Sequence, residues 1–433
     1  MTDTLALFGG PKAVTAAMPP YPAIGHEEVA AAVKVLMSRE VSDCGRGTFV
    51  AEMEDACAAY FGAKYALSFS SGTAALHSAL FAVGVGPGDE VLTTPNTWIS
   101  GITAIAHAGA VPVFCDVKPG TVHLDPAEIA RKAGPHTKAV IVTHLWGIPA
   151  DLDPILRAAR AAGLAVIEDA SHAHGGTYKG RLMGTIGDIG CFSLQGSKAI
   201  VAGEGGFMLT RSKLWYERAI VPGHHGRRLG MLSLKSTRPF SHAAGLWTYR
   251  IAPVAAAIAT EQLKKLDALN AARQANFDRL ARRLRKTVPF IRWHRVPPRS
   301  RRGWYGTPAF YEYPGPVSRD RFVEACQAEG LGVWGAGYAD WPRTPLFQDM
   351  SLYGQLWPVR HGSGAAFTPV PDGALPNTDR TRAETILFPI PAVELPDLID
   401  QMASAVEKVA GAMGRLRQPK PARPRNARRR RRE

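Results

Sequence analysis

Between Val166 and Thr210 the chain reads VIEDASHAHGGTYKGRLMGTIGDIGCFSLQGSKAIVAGEGGFMLT, and an acid, a hydroxyl and a lysine stand at the ends of its apolar runs. The first run, Leu164 to Ile167, closes on Glu168-Asp169, so a carboxylate sits where a buried strand opens into a loop. The second, Ile189 to Leu194, delivers Ser193 and then Lys198 into a glycine-punctuated turn. A lone lysine is ordinarily a solvated surface charge, and a lone aspartate after a strand is ordinarily a turn former or cap. Here no other basic residue occurs from Leu182 to Thr210, so Lys198 belongs to no charged face, and the bare backbone of Ala202-Gly203-Glu204-Gly205-Gly206 follows it. A lysine for a Schiff base, a carboxylate to keep a pyridine nitrogen protonated, and hydroxyl and amide donors for a phosphate are the set that pyridoxal phosphate requires.

Elements on either side must position these groups. A strand over Ala66 to Phe69 runs into Ser70-Ser71-Gly72-Thr73 and a helix from Ala74 to Val83. The open amides of such a helix start, with the helix dipole, seat an anion, while Ser71 or Thr73 can equally act as a plain N-cap. Strands at Glu90–Thr93, Val111–Val117, Ala139–Val142 and Ala165–Glu168 alternate with helical stretches at Ser100–Ala108 and Asp153–Ala162. This βαβ rhythm predicts a mostly parallel sheet sandwiched by helices, whose ligands bind beyond the carboxyl ends of the strands. Thr73, Trp98, Asp169 and Lys198 all fall at or just after such ends. By residue type alone Trp98 reads first as a buried core aromatic, and His172 reads also as a satisfied core histidine. No histidine or cysteine pair has metal-ligand spacing, so no metal is expected.

The motifs EDASHAHG, GxxGDIGCFSLQGSK and GEGG resemble the signature of the DegT/DnrJ/StrS aminotransferases, over about Leu5 to about Met413. That resemblance implies the pyridoxal-phosphate-dependent fold type I, a homodimer, and amino transfer from glutamate or glutamine to a keto sugar or keto cyclitol. It implies Lys198 as the Schiff-base lysine and Asp169 as partner of the ring nitrogen. Gly72, Thr73 and Ser193 would hold the phosphate, Trp98 would stack on the ring, and His172 would lie near it. His144, in THLWGIPADLD, matches a strand-end motif of open role. An asparagine usually reaches the partner's phosphate two residues before an arginine; this chain has Thr248-Tyr249-Arg250, so Thr248 stands in its place. The implied organisation is an N-terminal arm (1–40), a large cofactor domain (41–275) and a smaller C-terminal α/β domain (276–413). Three rival readings stand beside amino transfer: an aminohydroxybenzoate-synthase-like dehydration and aromatisation, a deoxysugar dehydratase, and a non-catalytic cofactor-binding regulator. Lys198 argues against the dehydratase, whose relatives lack that lysine.

With 433 residues, 46% hydrophobic and 21% charged, the chain has ample volume for two packed domains. No apolar run approaches the ~20 residues of a spanning helix, and a cytoplasmic protein is expected. The five cysteines are scattered and read as small core residues. The net charge of +15 is concentrated at the end, where ten Lys and Arg from Arg415 to Arg432 face only Glu433. This Arg-rich tail (414–433) cannot bury apolar surface; it is expected to be disordered, either dispensable or a non-specific polyanion contact.

Overall fold

The computed structural model describes residues 4–242, 247–335, 337–348, 351–352, 355–356 and 369–416. The greater part of the arginine tail therefore lies outside the described residues. Seven strands form a large sheet: β1 (Tyr65–Phe69), β2 (Glu90–Thr93), β3 (Val111–Phe114), β4 (Thr137–Thr143), β5 (Ala165–Asp169) and, after a small hairpin of β6 (Thr177–Tyr178) and β7 (Arg181–Leu182), β8 (Ile189–Ser193) and β9 (Gly206–Thr210). Their spatial order is β1-β9-β8-β5-β4-β2-β3. Every strand but β9 runs the same way, and β9 is antiparallel to both its neighbours. The sequence reading places no strand after the glycine run. One forms because Phe207, Met208 and Leu209 are buried there, filling the gap between β1 and β8.

The near-continuous apolar runs of β4 and β5 are explained by cover on both faces, the usual condition of a parallel strand. Behind β8 and β9, Phe192 and Phe207 stack at 4.5 Å with Phe61 against them. Such contacts fix the strand whose end carries Ser193.

A second, four-stranded sheet is built from Ile291–Trp293, Thr307–Tyr311, Thr385–Phe388 and Trp334–Gly335, with the helices Arg319–Ala328 and Pro396–Gly411 packed on it. The helix Pro253–Thr287 joins the two sheets. Ala256, Leu263 and Leu266 on its first half enter the core of the large sheet, and Phe277, Leu280 and Leu284 on its second half enter that of the small one. The N-terminal segment crosses back in the same way. Leu5 and Val14 are buried against the small sheet, held by the Ala6 and Ala13 amides donating to Glu329 at 2.7 and 3.1 Å.

Candidate active site

The carboxyl ends of β1, β4, β5 and β8 meet at one edge of the large sheet. A cavity of about 470 Å³ opens there, lined among others by Gly72, Thr73, Asp169, Ser193 and Lys198. Successive residues of a strand face opposite ways, and β5 uses both faces. Asp169 turns into the cavity, 6% exposed, and accepts from the Ser171 amide at 3.1 Å. Glu168 turns away and is fully buried. It accepts from the amides of Gly184, Ile186 and Gly187 at 2.8, 2.7 and 2.6 Å and from His144 Nε2 at 2.9 Å. His144 Nδ1 accepts from the Ala150 amide at 3.1 Å, which fixes the tautomer that donates to Glu168. His144 thus serves the buried carboxylate that ties the turn before β8 to β5. Although burial opposes its charge, these donors hold the Glu168 carboxyl below its usual range.

Lys198 is 8% exposed, with its Nζ 4.1 Å from the centre of the Tyr305 ring. Burial lowers its pKa to about 8, against the opposing pull of the Asp169 charge. His172 lies parallel to Tyr305 at 3.8 Å, and its Nδ1 accepts from the Trp146 amide at 3.2 Å. Burial, with Lys198 nearby, keeps His172 neutral. Trp98 stands at the rim, 55% exposed, edge-on to Tyr338 at 6.0 Å.

Across the cavity, Ser71 caps the helix Gly72–Ala82 by accepting from the Ala74 amide at 3.1 Å. The amides of Gly72 and Thr73 in that first turn have no acceptor within a helix. Thr73 Oγ1 donates to Ser100 Oγ at 2.8 Å. Gly72 has no room for a side chain, since a Cβ there would lie 2.9 Å from Ser193 Cβ. Gly206 is equally constrained, because a Cβ would meet the Ser71 carbonyl at 2.5 Å. These two glycines let the turn, Ser193 and β9 close into one cradle. Thr248 lies outside this cavity, with its Oγ1 3.1 Å from His225 Nε2, although the next residue's carbonyl accepts from the Ser70 amide at 2.6 Å.

These residues fit pyridoxal phosphate: helix-start amides and hydroxyls for a phosphate, a buried lysine of lowered pKa for an aldehyde, and a carboxylate opposite. Tyr305, Tyr338 and Tyr21, whose hydroxyl donates to the Lys198 carbonyl, also reach this region and were missed in the sequence. Only GWYGT, an aromatic between glycines, hints at Tyr305. Among the described residues no cluster could hold a metal, and no helix is long and apolar enough to cross a membrane.

Solved structures share this architecture. An aminotransferase from Psychrobacter cryohalolentis matches with a TM-score of 0.79 at 27% identity, over 93% of this chain and 100% of its own. A 3-amino-5-hydroxybenzoic acid synthase matches with 0.76 at 27% identity, over 92% and 99%. The fold is that of the pyridoxal-phosphate-dependent transferases of fold type I. The chain matches the DegT/DnrJ/EryC1/StrS aminotransferase family over residues 22–355 and belongs to it. A relative, L-glutamine:scyllo-inosose aminotransferase of Streptomyces griseus, is 37% identical over 296 residues, 66% of this chain and 69% of the relative.

Proposed function

We propose that this chain moves the amino group of L-glutamine to a keto cyclitol or keto sugar, as a homodimer in aminocyclitol or amino-sugar biosynthesis. The observation that carries the reading is that buried Lys198 and Asp169 line one cavity together with the helix start at Gly72 and Thr73. The relative's name supports glutamine as donor and a cyclitol as acceptor. When bound, pyridoxal phosphate supplies the electron sink that lets a proton leave the donor's α-carbon.

The chain's own groups do the rest. Gly72, Thr73 and Ser193 would hold the phosphate, and Trp98 at the rim would stack on the ring. Asp169 would hold the ring nitrogen, its carboxylate favouring the protonated form. Lys198 Nζ would hold the cofactor's aldehyde carbon and, when free, would serve as the base for the donor's α-proton, a role suited to a lysine that burial already brings below its ordinary pKa. Thr248 Oγ1 would reach the phosphate of the partner subunit.

An acceptor screen tests this. L-glutamine is supplied with scyllo-inosose, a nucleotide-linked keto sugar or an aminodehydroquinate-type compound, and products are identified by mass spectrometry. An amino cyclitol or amino sugar is expected. An aromatic amine alone would instead establish the dehydrating chemistry.

A further inference from the structure

We propose that Arg273 binds the α-carboxylate of the amino donor, in a cavity of about 310 Å³ lined by Pro20, Tyr21, Arg273, Trp304 and Phe388, whose walls at Ser197 and Tyr305 also line the cofactor cavity. The inference rests on the donor being an amino acid, as proposed above. Arg273 is 5% exposed, on the long helix Pro253–Thr287. Its Nη1 donates to Asn270 Oδ1 at 3.3 Å, and its guanidinium carbon lies 5.7 Å from the centre of the Tyr21 ring. Among the described residues no carboxylate pairs with it.

A buried cation without a counter-ion is costly, and the other buried arginines have compensating neighbours. Buried Arg228, for example, meets Glu54 at 2.6 and 2.7 Å. Arg302, also buried without a carboxylate, is covered by the Phe277 ring at 4.1 Å and lines no part of this cavity. Arg273 instead faces a largely apolar space beside the lysine. Tyr21 links the two, its ring centre 5.7 Å from the guanidinium carbon and its hydroxyl donating to the Lys198 carbonyl. In such surroundings a planar guanidinium takes a carboxylate by paired, charge-assisted hydrogen bonds. With a keto cyclitol as acceptor, which carries no anion, only the donor needs this cation. Desolvation lowers the Arg273 pKa, and a bound carboxylate would reverse that penalty.

The test compares L-glutamine with its α-amide in the donor half-reaction of the holoenzyme, followed by the cofactor's absorbance. The wild type is expected to favour L-glutamine by on the order of 100-fold in kcat/KM. Arg273→Met should lose that preference by slowing L-glutamine alone. It should keep cofactor affinity and the acceptor KM, and it should weaken binding of glutarate, a carboxylate without an amine, measured by calorimetry. Arg273→Lys should restore part of the preference. Equal use of amide and acid by the wild type overturns the proposal whether or not the variants fold. So does an unchanged preference in Arg273→Met. If L-glutamine is inert and another amino acid reacts, the glutamine reading fails, and the same comparison with that donor's α-amide still decides the role of Arg273.

Discussion

Removing the charge of Lys198 should stabilise the cofactor-free protein, and by an amount that depends on pH in a defined way. Burial brings this lysine from its ordinary 10.5 to about 8. At about 1.4 kcal/mol for each pH unit, keeping it protonated in the folded state costs about 3 kcal/mol. Below pH 8 both folded and unfolded chains carry the proton, and the folded state bears the whole cost. Between 8 and 10.5 the folded lysine has lost its proton while the unfolded chain retains it, so the cost declines as the pH rises; above 10.5 it is gone. Lys198→Met removes the group. Urea unfolding of the cofactor-free wild type and variant at pH 7 should show the variant more stable by about 3 kcal/mol, and at pH 11 the two should coincide. Equal stabilities at pH 7 would mean that the lysine reaches water and carries no stored desolvation, and the argument for its reactivity would fall.

Gly72→Ala should fold but bind cofactor poorly. The new Cβ, 2.9 Å from Ser193 Cβ and 3.1 Å from its Cα, forces the cradle apart at a cost of about 1–3 kcal/mol, read as the cofactor Kd. Glu168→Gln should destabilise the fold by about 3–5 kcal/mol at neutral pH, since amides and His144 lose the buried charge they were built around. The wild type's advantage should be complete above the unfolded carboxyl's 4.5 and should vanish as the pH falls through the lower folded value, as acid titrations of both proteins would reveal. For Thr248, substitution by Asn should tighten or preserve cofactor binding and by Val should loosen it by about 1 kcal/mol; a Val variant like wild type, with an Asn variant that disrupts the dimer, would make the position a packing site.

Much of the site was legible because it lies at the ends of apolar runs punctuated by glycine. Asp169 and Ser193 close buried strands and Gly72 and Thr73 follow shortly after one, and a strand buried on both faces announces itself by continuous hydrophobicity. β9 was not legible, because its three apolar residues follow glycines that read as a loop. The strands Ile291–Trp293 and Thr385–Phe388 are similarly too short to display a period. Tyr21, Arg273 and Tyr305 come from the N-terminal segment, the long helix and a loop of the small sheet. Only packing brings them together, and no local spacing records it. Glu168 was read merely as the neighbour of Asp169, although the pleat gives it the opposite face and a separate structural task. The core of the small unit also extends past Met413, since Leu416 is fully buried within it.

The most direct test of the account is borohydride reduction of the cofactor-loaded enzyme followed by peptide mapping. Reduction should fix the pyridoxyl group to one peptide, on Lys198 within SLQGSK, and Lys198→Ala should take up no label while still binding cofactor through its phosphate. Label on any other lysine would contradict the assignment on which the mechanism is built.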